Sequence, residues 1–165
     1  MKKIIKAAMA GMLAFTVFGC ASQEQPAQEE TAAEETNTEE TQPEEEVQKE
    51  MKLSIGSKVV PVTWEENEAV EELKRIVEEK GQVIVQMTMY GGFEQVGPLG
   101  FSLPANDVDT NTDYGDIVLY NSNMIVIFYG TNSWPYTRLG HVENTQEEME
   151  NLLTKGNITI TLKYE

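Results

Sequence analysis

The residues best suited to ligand chemistry lie in two aromatic-rich segments. One is Trp134-Pro135-Tyr136-Thr137-Arg138, and Arg138 is one of only two arginines in the chain. The other lies between Tyr90 and Phe101. Aromatic walls with one guanidinium donor would form a groove for an extended peptide or a small anionic ligand. The candidate groove residues are Tyr90, Phe93, Glu94, Phe101, Trp134, Tyr136 and Arg138.

Other catalytic or metal chemistry has little support in the sequence. Segment 107–113 supplies Asp or Asn at positions 1, 3, 5 and 7 of a calcium loop, but positions 6 and 12 are Thr112 and Val118 rather than glycine and glutamate. His141 is the only histidine, so neither a zinc site nor a Ser-His-Asp triad is expected. Gly91-Gly92 is better explained as a bulge or tight bend than as a phosphate loop. We expect no metal and no cofactor.

The candidate residues are embedded in a sequence dominated by strand patterns. Residues 51–64 alternate between apolar and polar around Gly56-Ser57 and predict a β-hairpin, with Pro61 at a sheet edge. Helical spacing after Asn67 predicts a helix at about 67–80, and the capping box at Thr145 predicts a short second helix. Loops are predicted at 97–113 and 130–135. Further strands are predicted at 82–90, 116–120, 124–129, 136–142 and 158–162.

These elements indicate a mainly β fold. About seven or eight strands joined by short links, with two helices, predict a closed or nearly closed barrel with helices at its openings. In such a barrel a second interpretation of the candidate residues stays open. Arg138 would form a salt bridge with Glu94 or Asp116, and the aromatic side chains would only pack the barrel mouth.

Five segments in order resemble one known family. They are Tyr90-Gly91-Gly92-Phe93-Glu94, Phe101-Ser102-Leu103-Pro104, Gly115-Asp116-Ile117-Val118-Leu119-Tyr120, Ile127-Phe128-Tyr129-Gly130 and the segment from Ser133 to Gly140. Together they resemble the bacterial cyclophilin-like domain family, whose members are mostly of unknown function. The resemblance covers nearly all of 51–165 and implies an eight-stranded cyclophilin-type barrel with two helices.

The resemblance does not carry prolyl isomerase residues to this chain. True cyclophilins have an arginine-bearing strand followed by a Phe-x-x-Gln pattern, and the matching region, about 83–94, contains no arginine. The first hypothesis is therefore a binding module, and an enzyme is not the favoured interpretation. A divergent prolyl isomerase or foldase for exported proteins is the alternative, with Arg138 as its possible donor. A purely structural role is the third possibility.

The N-terminus predicts export and lipid attachment. Three lysines precede the uncharged apolar run 7–18, which is about a dozen residues long and too short for a spanning helix. Cys20 is the only cysteine, so it cannot form an internal disulfide. Val17-Phe18-Gly19-Cys20 resembles the lipobox of bacterial lipoproteins, which implies removal of a signal peptide, residues 1–19, and acylation of Cys20. The protein is then expected on the extracytoplasmic face of a cell membrane or envelope.

Charge and composition separate a tether from the folded domain. Residues 21–50 contain eleven glutamates and one lysine, and Val47 is their only large aliphatic residue. Such a segment cannot form a core, so 20–50 is predicted to be a disordered acidic tether and 51–165 the barrel domain. The formal net charge of the chain is −16, which argues against nucleic acid as a partner. The expected partners are the membrane, through the lipid, and a peptide or small molecule.

Overall fold

A computed structural model describes residues 49–165. These residues form two helices and an antiparallel sheet of ten strands. The predicted signal peptide, Cys20 and the tether as far as residue 48 lie outside the described residues. None of the helices in 49–165 is long and apolar enough to cross a membrane. The elements are β1 (Met51–Ile55), β2 (Lys58–Val60), β3 (Val62–Trp64), α1 (Glu68–Lys80), β4 (Gln82–Tyr90), β5 (Glu94–Pro98), β6 (Val108–Thr112), β7 (Asp116–Tyr120), β8 (Met124–Phe128), β9 (Asn132–Val142), α2 (Gln146–Leu153) and β10 (Ile158–Tyr164).

The sheet is a nearly closed barrel, as predicted. Its strand order is β2-β1-β10-β4-β5-β8-β7-β9-β3, and β6 pairs with β9 beside this path. The two end strands, β2 and β3, are separated in sequence by Pro61 alone, which brings the ends of the sheet together. Pro61 has no N–H to donate, but its carbonyl oxygen accepts a hydrogen bond from Glu143 N at 2.9 Å.

The main core fills the barrel with side chains from alternating strand positions and from both helices. Leu53, Val85 and Ile160 are at most 1% exposed on β1, β4 and β10. The apolar face of α1 packs against β4, β9 and β10, and Leu73 is fully buried there. Burying one such side chain contributes about 1.5–3 kcal/mol to folding. Alternation on the strands and helical spacing on α1 therefore account for most of the core.

Both predicted helix starts are confirmed. Asn67 Oδ1 accepts a hydrogen bond from Val70 N at 3.0 Å, which satisfies one of the free amides at the start of α1. The same side chain donates through Nδ2 to Arg138 O at 2.8 Å and so ties α1 to β9. Thr145 and Glu148 form the reciprocal capping box at the start of α2.

Three predicted segments were wrong in detail. The predicted hairpin 51–64 ends at Val60, because β3 leaves β1 and pairs with β9. The predicted loop 97–113 contains the end of β5 and all of β6. The predicted loop 130–135 is mostly the start of β9. Residues 132–136 of β9 pair with the whole of β6. Polar and proline residues are tolerated in this pair because β6 has a ladder partner on one side only, as an edge strand.

Strands β7 and β8 are apolar on both faces. Their inward side chains, among them Ile117 and Ile127, belong to the main core. Their outward side chains Val118, Val126 and Phe128 form a second cluster with Tyr136 on the outer face. The sequence of a strand that is buried on both faces is a nearly continuous run of apolar residues. The outer face of the barrel therefore carries its own apolar patch, and the candidate site lies on it.

Candidate binding pocket on the outer face of the barrel

A concave pocket of about 340 Å³ lies on the outer face, where β4, β5, β7, β8 and β9 run side by side. This volume is at the lower end of the range for small-ligand pockets, about 300–1,000 Å³. We call it the outer pocket. Its lining residues are Tyr90, Glu94, Val96, Tyr120, Val126, Asn132, Trp134 and Tyr136.

Sheet register explains why these side chains meet. Glu94 on β5 lies opposite Tyr90 on one neighbouring strand and Phe128 on the other. Directly opposite residues in an antiparallel pair point to the same face, with Cβ atoms about 4.5–5.5 Å apart. Val96 similarly pairs with Val126, which forms the apolar floor next to Glu94.

The turn between β4 and β5 fixes where Glu94 begins its strand. Gly91 and Gly92 have φ angles of 61° and 76°, a left-handed conformation that side-chain-bearing residues rarely adopt. The carbonyl oxygen of Phe93 accepts hydrogen bonds from Tyr129 N at 2.9 Å and Gly130 N at 3.0 Å. The turn is thereby held against the end of β8, and the tight bend expected at Gly91-Gly92 is confirmed.

Aromatic side chains form the walls of the outer pocket. The rings of Tyr120 and Tyr136 meet edge to face with centroids 6.1 Å apart, and Tyr136 meets Phe128 in the same way at 5.8 Å. Asn132 Nδ2 donates a hydrogen bond to Tyr136 Oη at 3.0 Å, which fixes the inner wall. Tyr90 and Trp134 are 67% and 56% exposed and form the rim. The inner wall is rigid, whereas the rim offers uncovered aromatic surface.

Among residues 49–165, Glu94 is the single carboxyl group that lines the pocket. It is only 5% exposed, and its Oε2 has no hydrogen-bond partner among the described residues. Burial raises the pKa of Glu94 to about 7 because the ionised form loses its hydration. The pKa of Tyr136 is also raised, first by burial and then by the charge of Glu94. The pocket therefore contains a carboxyl group whose charge changes near neutral pH.

Arg138 lies outside the outer pocket and is held by Asp116. Its Nη1 is 3.0 Å from Asp116 Oδ1, and its Nη2 donates to Asn111 O at 3.2 Å. The Asp116 side chain is 7% exposed and also lies 3.0 Å from His141 Nδ1. Arg138 lines a separate cavity between the start of α1 and segment 104–108. Of the two salt-bridge partners considered from the sequence, the structure has Asp116 and not Glu94.

A β-bulge in β9 produces this three-residue cluster. Ile117 pairs with Gly140 and Val118 pairs with Arg138, so Leu139 is an extra residue in the ladder. Residues three apart in a regular strand point to opposite faces. The extra residue puts Arg138 and His141 on the same face, where both reach Asp116.

The structure brings together four of the seven predicted groove residues and separates the other three. Tyr90, Glu94, Trp134 and Tyr136 line the outer pocket. Phe93 packs on the second cluster, with its ring parallel to that of Phe128 at 6.4 Å. Phe101 packs against the main core, and Arg138 lies in the other cavity.

Sequence reasoning missed four pocket residues: Val96, Tyr120, Val126 and Asn132. Tyr120 and Val126 lie in predicted strands. Because side chains alternate between the two faces of a strand, both residues would have been found if the outward face of β7 and β8 had also been considered as a binding surface. Val96 and Asn132 lie in segments for which no strand was predicted, and we see no sequence signal that would have placed them.

The calcium-like segment forms a strand. In β6 the side chains of Thr110 and Thr112 are buried, whereas Asp109 and Asn111 are exposed. Ser133 Oγ donates to Asn111 Oδ1 at 2.6 Å across the β6–β9 pair. Within 49–165, His, Asp and Glu side chains form no group of three or more that could hold a metal ion. The short polar residues here therefore support strand pairing and a turn.

Comparison with known proteins assigns the domain to a family. The model of the cyclophilin-like family matches residues 53–163, which is 111 of the 165 residues. Neither a search of curated proteins nor a search of solved structures found a match. The matched region coincides with the barrel described above: it begins at Leu53 in β1 and ends at Lys163, one residue before the end of β10. The chain belongs to the cyclophilin-like family.

Proposed function

We propose that this protein is a membrane-tethered, extracytoplasmic binding protein whose outer pocket takes a small ligand or a short peptide segment. The observation that carries the proposal is the outer pocket itself, with its rigid aromatic wall, apolar floor and one buried carboxyl group. Ligand sites are concave and mostly apolar, with a small number of placed polar groups. The outer pocket has this composition.

The rim supports binding rather than a purely structural role. Tyr90 and Trp134 are among the few exposed large apolar side chains of the described chain, and both border the same pocket. A fold gains little from leaving two large rings in water. Exposed aromatic clusters at a concave surface are typical of recognition sites, in which tryptophan and tyrosine contribute most of the binding energy.

The sequence of the N-terminal segments supports a location of this binding module at the outer side of a membrane. A lipid on Cys20 would anchor the chain, because each buried methylene contributes about 0.8 kcal/mol to membrane binding. The thirty acidic and polar residues that follow could reach about 100 Å at most. The barrel would then sample ligands at some distance from the membrane surface.

Proline isomerisation has less support. Catalysis would need a donor close to the twisting imide bond, at a geometry that positioned groups must hold closely. Arg138, the donor considered from the sequence, is engaged by Asp116 and lines another cavity. The chain's membership in the cyclophilin-like family fixes its fold and does not supply that donor.

A ligand screen with matched variants tests the proposal. Thermal shifts of the purified full chain would be measured against a library of small metabolites and short peptides. A hit in the outer pocket should lose its shift in Trp134→Ala and keep it in Ile84→Ala, since Ile84 is 54% exposed and does not line the pocket. Hits that persist equally in both variants would contradict the proposed site.

A further inference from the structure

We propose that the outer pocket selects cations, namely ligands that carry an alkylammonium group, and that Glu94 is their counter-ion. This inference rests on the proposed function and names its ligand class. It differs from the sequence expectation of an extended peptide or a small anionic ligand, because the charge of the favoured small ligand becomes positive.

The charge of the groups that line the pocket favours a cation. Glu94 is the only charged side chain among its eight lining residues. The arginine that would have attracted an anion is bound to Asp116 and faces another cavity. Among the side chains of the described residues that line the pocket, an anionic ligand would therefore meet a carboxylate and no cation. The folded residues 51–165 carry seventeen acids and eight bases, so the surrounding field also favours cations.

The Glu94 carboxyl group lacks a partner that a cationic ligand would supply. The group is 95% buried, Oε2 has no hydrogen-bond donor, and no ion pair reaches it within the described chain. A buried carboxylate without a partner is unfavourable, so it either binds a proton or gains a cation. An ammonium group in the pocket supplies both the charge and, when it carries an N–H, the missing donor.

The aromatic wall of the pocket also suits an ammonium group. Tyr90, Tyr120, Trp134 and Tyr136 surround the same space as Glu94. Aromatic rings attract ammonium groups through their quadrupole, and quaternary ammonium ligands are commonly held in aromatic cages. A cage with one acidic residue is complementary to such a group in shape and in charge.

The proposal has a pH signature. The titratable groups that line the pocket are Glu94 and the hydroxyls of Tyr90, Tyr120 and Tyr136. Tyr129, which follows Phe128, also senses the charge of Glu94. Asp116 begins the neighbouring strand β7 and is paired with Arg138 and His141. Burial raises the pKa of Tyr129 and of Tyr136, which moves their ionisation further from neutral pH. Binding should follow the ionised fraction of Glu94, whose pKa is about 7. Affinity for a permanent cation should therefore be about tenfold weaker at pH 6 than at pH 8.

The probes are choline and its neutral carbon isostere, 3,3-dimethylbutan-1-ol, titrated calorimetrically into the purified full chain. Choline should bind at least tenfold more tightly than the isostere at pH 8, and its affinity should fall toward pH 6. Glu94→Gln should weaken choline binding at least tenfold at pH 8 and abolish its pH dependence. Trp134→Leu should weaken it severalfold, and Ile84→Ala should leave it unchanged. Thermal unfolding of each variant checks that it is folded.

Each contrary outcome overturns the inference in a recognisable way. Equal binding of choline and the isostere, lost in Trp134→Leu, would mean that the pocket is real but does not select charge. Choline binding that survives Glu94→Gln would place the cation elsewhere. No binding of either probe at pH 8 would reject an alkylammonium ligand, and the library screen would then decide separately whether the pocket binds another class.

Discussion

Replacing Glu94 with glutamine should stabilise the protein at pH 8 and change it little at pH 4. The side chain is 5% exposed with no partner for Oε2, and burial raises its pKa from 4.5 to about 7. Glutamine has nearly the same shape and does not ionise. The variant therefore removes the cost of a buried negative charge while keeping the packing between Tyr90 and Phe128.

The sign and size of this stability difference follow from the linkage between proton binding and folding. The folded state binds the Glu94 proton more tightly than the unfolded state, so the stabilising contribution is complete below pH 4.5 and is lost as the pH rises to about 7. One pKa unit corresponds to about 1.4 kcal/mol, which gives an upper value of about 3 kcal/mol for the loss. The advantage of Glu94→Gln over the parent chain should grow by up to about that amount between pH 4 and pH 8.

Urea unfolding of the full chain at a series of pH values measures this difference. The exposed Glu66→Gln variant is the matched control and should follow the parent at every pH. A difference between Glu94→Gln and the parent that stays constant from pH 4 to pH 8 would refute the reasoning. It would mean that the Glu94 carboxylate is hydrated or paired in the folded protein. Combined loss of choline binding and gain of stability would mark Glu94 as a residue kept for function.

Three further results are expected. Cys20→Ser should abolish incorporation of a labelled fatty acid and release the protein from the membrane fraction; undiminished label would end the lipoprotein assignment. Arg138→Ala should lower the free energy of unfolding by about 1–3 kcal/mol because it leaves the buried Asp116 carboxylate without its guanidinium, whereas Arg75→Ala, on the exposed face of α1, should cost clearly less; equal losses in urea unfolding would argue against that difference. The purified protein should show no prolyl isomerase activity above background on a proline peptide, and activity that disappears in Arg138→Ala would make it a divergent foldase.

The fold was predictable because its regular elements follow local rules. Alternation on β1, β4 and β10, the Asn67 cap and the Thr145 capping box are all local signals, and the structure has each of them. The family resemblance then ordered these elements into a barrel. What failed was the assignment of β6 and the start of β9. Both are rich in residues that favour turns. They form strands because each provides the backbone hydrogen-bond partners of the other.

The candidate site was only partly predictable because it depends on how the strands pair across the barrel. Tyr136 and Arg138 lie two residues apart on β9 and point to the same face, yet they line different cavities. The bulge at Leu139 and the partner at Asp116 are decided by strand pairing across the barrel. No pattern within 134–138 reports that pairing. Sequence reasoning therefore placed Glu94 and Arg138 in one groove, whereas in the structure Glu94 lines the outer pocket and Arg138 lines the other cavity.

The most direct test of the account is where a ligand contacts the barrel. Choline would be titrated into isotopically labelled protein at pH 8 while backbone amide and indole resonances are followed by NMR. We expect saturable shifts centred on Glu94, Val126, Tyr136 and the indole of Trp134, and no shift at Ile84. Shifts centred instead on Asn67 and Arg138, around the other cavity, would contradict the claim that the outer pocket is the binding site.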